Sequence, residues 1–143
     1  MGEWIIADSS ALISLTHKTD SRHADAAALR KIIEARSMRL VVPTEVLSET
    51  LNIVGRKNSN EDAAAIGLLT LGDERVVIPE TNRDVLLDAV ERLQTQNASV
   101  SFVDTLVMVW ADYYDTDLIF GFDGIFAKRG YKLPNATEHN KAA

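Results

Sequence analysis

Two aspartates fall just past short apolar runs, where they could do chemistry. Asp8 directly follows Trp4-Ile5-Ile6-Ala7, and Asp123 follows Leu118-Ile119-Phe120 after only Gly121 and Phe122. In an open parallel sheet the functional crevice lies beyond the carboxyl ends of the strands, so acids at those positions can face it. Two further carboxylates are candidates to join them. Glu49 belongs to a helical segment whose buried stripe is Val46, Leu47, Thr50, Leu51 and Val54. At ~100° per residue Glu49 stands on the flank of that stripe, whereas Glu45 points almost opposite, into solvent. Asp104 opens the run from Ser101 to Ala111, which is apolar around most of its circumference and reads as a helix packed inside the domain. Carboxylates gathered closely repel one another, and a hard divalent cation with oxygen ligands is the simplest compensation. Such an ion lowers the pKa of bound water, and two of them about 3.5–4 Å apart can stabilise both the attacking and the leaving oxygen of a phosphoryl substitution.

Each acid also has a structural reading. Asp8 before Ser9-Ser10-Ala11-Leu12 makes a good helix N-cap, and Ser101-x-x-Asp104 matches a capping box with an acid in the first turn, where the helix dipole favours it. A capping acid, however, needs no partners from three other elements.

The elements that must position these residues follow an α/β pattern. Strand candidates are Trp4 to Ala7, Leu40 to Val42, Val76 to Ile78, Leu118 to Phe120 and Tyr131 to Leu133. Helical periodicity covers Ser10 to Leu15, His23 to Ala35, Thr44 to Arg56, Glu61 to Leu71, Arg83 to Gln94 and Val103 to Tyr114. Alternation of this kind predicts a mainly parallel central sheet of about five strands. The connections, such as Pro43-Thr44, leave no room for a linker, so residues 1–133 read as one domain and 134–143, polar and without periodicity, as a flexible tail. The length of 143 residues suits a single core. The absence of Cys excludes thiol nucleophiles, disulfide scaffolds and thiolate zinc sites, and it fits a cytoplasmic location. No apolar stretch reaches the ~18 residues of a membrane span.

Together the runs Ala7-Asp8-Ser9-Ser10-Ala11-Leu12, Val42-Pro43-Thr44-Glu45-Val46-Leu47-Ser48-Glu49, Val103-Asp104-Thr105-Leu106 and Phe122-Asp123-Gly124-Ile125-Phe126 resemble the PIN-domain nucleases, and among them the single-domain VapC toxins. The resemblance spans residues about 4 to 133 and keeps the order and spacing of all four acids. It implies a three-layer α/β/α PIN-like fold, with Asp8, Glu49, Asp104 and Asp123 as catalytic residues and ligands of Mg²⁺ or Mn²⁺. It also implies hydrolysis of RNA phosphodiester bonds by an endoribonuclease, a cognate antitoxin as partner, and a homodimer. The family commonly carries Thr or Ser two residues before the fourth acid, where this chain has Gly121. That departure removes a hydroxyl and leaves Ser10 and Ser101 as the candidates for supporting the acids.

The net charge of −6 argues against RNA binding through overall positive charge, but the four site carboxylates account for four of those charges and leave −2 for the rest. Arg22, Arg30, Lys31, Arg36, Arg39 and Lys132 read as solvated residues, and the adjacent pairs Arg56-Lys57 and Lys128-Arg129 as the candidates to contact RNA at the rim. Three rival readings compete with this one. A phospho-receiver domain would place a paired acid after the first strand, and Asp8 has no acidic neighbour. A Ser-His-Asp hydrolase would need a Gly-x-Ser-x-Gly elbow, which the chain lacks. A catalytically weak or silent PIN-like module that binds RNA or protein has Gly121 as its only hint, and retention of all four acids speaks against it.

Overall fold

The structure is a computed structural model and describes residues 3–135. Its elements run β1 (Trp4–Ala7), α1 (Ser9–Thr16), α2 (His23–Ala35), β2 (Arg39–Val41), α3 (Thr44–Lys57), α4 (Asn60–Gly72), β3 (Val76–Val77), α5 (Arg83–Leu93), α6 (Phe102–Tyr113), β4 (Ile119–Phe120) and α7 (Gly124–Lys128). The four strands form one parallel sheet in the order β3-β2-β1-β4. β1 is therefore internal, with Ile6 in register with Val41 on one side and with Ile119 on the other.

Successive side chains of a strand point to opposite faces, so β1 feeds two cores. Ile6 joins Val41, Val107, Ile119 and the buried residues of α5 and α6. Ile5 joins Ala11 of α1, Ala26 and Ile33 of α2, Met38 and Phe120. Helices thus cover both faces, and the three-layer expectation holds. Strand pairing continues one residue past β1, where the Asp8 N–H donates at 2.9 Å to the carbonyl of Phe120, the last residue of β4. That bond fixes the backbone of the first acid at the carboxyl edge of the sheet.

Two expectations need correction. The sheet has four strands, not about five, because Tyr131 to Leu133 contributes only an isolated parallel bridge between Leu118 and Lys132. Here Gly130 turns the chain at φ +91°, a conformation that L side chains rarely adopt. A short helix, α7, follows the fourth acid and was not expected; Asp123 caps it by accepting from the Ile125 N–H at 3.1 Å. Of the expected tail, Pro134 is buried and the Asn135 carbonyl accepts from Arg36 Nη1 at 2.8 Å, while residues 136–143 lie outside the described residues. Among the described residues no helix is long and apolar enough to cross a membrane.

Candidate active site

The site is built around the first turn of α1. Asp8, its N-cap, is only 4% exposed, and its Oδ2 accepts from the Ser10 backbone N–H at 3.2 Å and from the Ser10 hydroxyl at 2.6 Å. The same hydroxyl accepts from the Phe122 N–H at 3.0 Å, which ties the loop after β4 to the acid after β1. Ser9, one residue earlier and also buried, donates to Glu49 Oε2 at 3.0 Å. Neighbouring hydroxyls on one helical turn therefore hold carboxylates from two different elements. Ser10 is an expected supporting hydroxyl and Ser9 is not; the signal for Ser9 is a serine in the first turn of α1, which packs against α3.

Glu49 is half-buried on the flank of α3, beside the buried Val46, Thr50 and Val54. Glu45 differs from expectation. It is half-buried rather than solvated, because the Thr81 hydroxyl donates to its Oε1 at 3.0 Å. Asp104 forms the complete capping box: its N–H donates to the Ser101 hydroxyl and its Oδ2 accepts from the Ser101 N–H, both at 3.0 Å. The Ser101 hydroxyl thus serves the helix end. The interior of α6 is buried from Thr105 to Ala111, but Asp104 in its first turn is only half-buried. Asp8, not Asp104, is the buried member of the set. Asp123 is exposed.

Burial is the main cause that pushes the Asp8 carboxyl above its ordinary value. The two Ser10 hydrogen bonds work against it, and the negative charges of Asp104 and Glu49 raise it further. Asp8 therefore feels two of the other acids, Asp104 and Glu49, at the carboxyl edge of the sheet. No Lys or Arg among the described residues forms an ion pair with any of the four. A buried carboxylate beside two others, with hydroxyls and no cation as partners, is the donor set a hard divalent ion takes. As they stand, no three acid or imidazole side chains among the described residues are close enough to enclose an ion directly. Asp104 and Asp123 are each turned to the backbone they cap.

Residues 5–131 match the family described as PIN domain. The chain belongs to the PIN-domain family. Its structure is similar to that of Mycobacterium tuberculosis VapC20, described as a sarcin–ricin loop cleaving toxin, with a TM-score of 0.80 and 23% sequence identity over 92% of this chain and 98% of that one. No curated protein matches the chain significantly.

Within this PIN domain the four expected rim cations are scattered. Arg56 lines an open groove with Glu49, Ser48, Asn52 and Val103, and its Nε donates to the Asn52 carbonyl at 3.4 Å. Lys57 acts instead on Asp20, whose carboxyl is held below its ordinary value chiefly by the Arg22 backbone N–H. Lys128 is exposed in the last turn of α7. Arg129 is carried away from the acids: its guanidinium donates to Gln96 Oε1, and it lines a cleft with Glu3, Trp4 and Leu118 at the amino ends of β1 and β4. Nearness in sequence to Asp123 was misleading for Arg129, since α7 leads the chain back to the other end of the sheet.

Proposed function

We propose that this PIN domain is a metal-dependent endoribonuclease that hydrolyses RNA phosphodiester bonds, acting as the toxin of a toxin–antitoxin pair. The observation that carries the reading is the buried, cation-free Asp8 with Glu49 and Asp104 around it at the carboxyl edge of a parallel sheet. The likeness to a toxin described as cleaving an RNA loop supports the same substrate class. Asp8, Glu49, Asp104 and Asp123 would hold Mg²⁺ or Mn²⁺. When bound, such an ion supplies a water of lowered pKa and neutralises charge on the phosphate. Asp8 contributes a fixed oxygen, because Ser10 holds it by two hydrogen bonds. Ser9 orients the Glu49 carboxylate, and the burial of Asp8 strengthens the charge interactions made there.

An antitoxin or a second copy of the chain has apolar surface to cover. Leu68, Leu69 and Leu71 on α4 and Leu87 and Val90 on α5 are exposed. Solvent-exposed groups of large apolar side chains of this kind favour protein contacts.

The test is incubation with structured RNAs in Mg²⁺, Mn²⁺ or EDTA. Internal cuts that require the metal are the expected result. Intact RNA in all three conditions would leave the silent binding module as the better account.

A further inference from the structure

Arg56 opens onto the groove of Glu49, and a second cation, Arg22, stands beside the loop of Asp123. Arg22, just before α2, holds its guanidinium 5.0 Å from the centre of the Phe122 ring. Phe122 lies between Gly121 and Asp123, and its N–H donates to the Ser10 hydroxyl that in turn donates to Asp8. Two hydrogen bonds thus connect the residue beneath Arg22 to the buried acid. The Arg22 side chain is 55% exposed, and its one carboxylate contact, Asp25 at 3.5 Å, is a solvent-exposed pair of little strength. The only other cation stacked on a ring among the described residues is Arg39 over Trp4, at the opposite end of β1.

A guanidinium seated over an aromatic ring presents donors that match phosphate oxygens, and both groups are planar surfaces against which an unstacked base can lie. We propose that RNA crosses this site as an unpaired strand, running between the α3 groove at Arg56 and a nucleotide seat formed by Arg22 and Phe122, with the acids between them. This rests on the nuclease reading of the acids. It adds a substrate-binding residue from α2 and leaves Lys128 and Arg129 off the path.

The test is the anisotropy of a fluorescein-labelled single-stranded RNA, measured across a salt series in an Asp8→Asn background with Mg²⁺. Arg22→Ala is expected to weaken binding about tenfold, and Arg22→Ala and Arg56→Ala each to lower the salt slope by about 0.7. Arg22→Lys should restore the slope without the full affinity, since an ammonium keeps the charge but not the plane. The double variant Lys128→Ala/Arg129→Ala should bind as its parent does. Unchanged affinity for Arg22→Ala, equal loss in the Lys128/Arg129 double variant, no binding by the parent, or tighter binding of the same RNA as a duplex would each overturn the path. Cleavage by the wild type is read separately. Cutting without any Arg22 dependence of binding rejects the path alone, and Arg22-dependent binding without cutting rejects the nuclease reading alone.

Discussion

Gly121 packs directly against Asp8: a β-carbon at position 121 would fall 2.7 Å from the Asp8 β-carbon and 3.3 Å from its Oδ2. The glycine therefore does more than omit a hydroxyl. Its bare backbone leaves room for the buried acid, and the hydroxyl that steadies Asp8 comes from Ser10.

Restoring the residue common in the family should thus harm this chain. Gly121→Thr is expected to destabilise the fold by about 1–3 kcal/mol, the usual range for overpacking, and to weaken Mn²⁺ binding. Thermal melts and a metal titration check both. Tighter metal binding by the variant would return Gly121 to the status of a missing hydroxyl.

The two serines of the first α1 turn should act on different acids. Ser10→Ala leaves the Phe122 N–H and an Asp8 oxygen short of a partner, a loss of about 1–3 kcal/mol. Ser9→Ala loses only the bond to Glu49. A double-mutant cycle should couple Ser9 to Glu49 in Mn²⁺ affinity and show no coupling between Ser9 and Asp123. Equal coupling to both acids would contradict the assigned contact.

The raised Asp8 carboxyl gives a pH dependence of known sign. Burial, first, and then the Asp104 and Glu49 charges disfavour the ionised form in the fold. The folded protein therefore holds the proton more tightly than the unfolded chain, and the penalty on stability is present above the raised pKa and disappears as pH falls below the ordinary value of 3.8. In EDTA, Asp8→Asn should melt higher than the wild type at neutral pH, with the gap closing as pH falls toward about 4. A gap that stays constant with pH would show that Asp8 carries no such penalty.

Asp104 has both a cap and a charge, and two substitutions separate them. Asp104→Asn keeps a side-chain oxygen able to accept from the Ser101 N–H, whereas Asp104→Ala loses it and should cost about 1 kcal/mol in EDTA. If Asp104 also serves the metal, both variants should lose most of the stabilisation that Mn²⁺ gives the wild type. An Asn variant that responds to Mn²⁺ like the wild type would assign Asp104 to the helix end alone.

The sequence showed the frame of this site more clearly than its surroundings. The apolar run before Asp8 marks a strand, and the all-round apolar character of 105–111 marks the buried helix. Burial of the individual acids does not follow from the apolar pattern, because Asp104 sits at the end of its helix while Asp8 is enclosed by pairing on both sides of β1. The five-residue α7 is too short to show helical periodicity, and its one signal, the N-cap Asp123, is equally an acid of the candidate site. Arg22 could not be placed, since its partner Phe122 is 100 positions away in the chain and only tertiary packing joins them.

The central claim is that Asp8 and its neighbours form a divalent-metal site, and calorimetric titration of Mn²⁺ into the wild type and Asp8→Asn tests it most directly. Saturable binding by the wild type, accompanied by proton release at a pH where Asp8 is partly protonated and absent from the variant, is the predicted result. Equal binding by the two proteins, or none by the wild type, would contradict it.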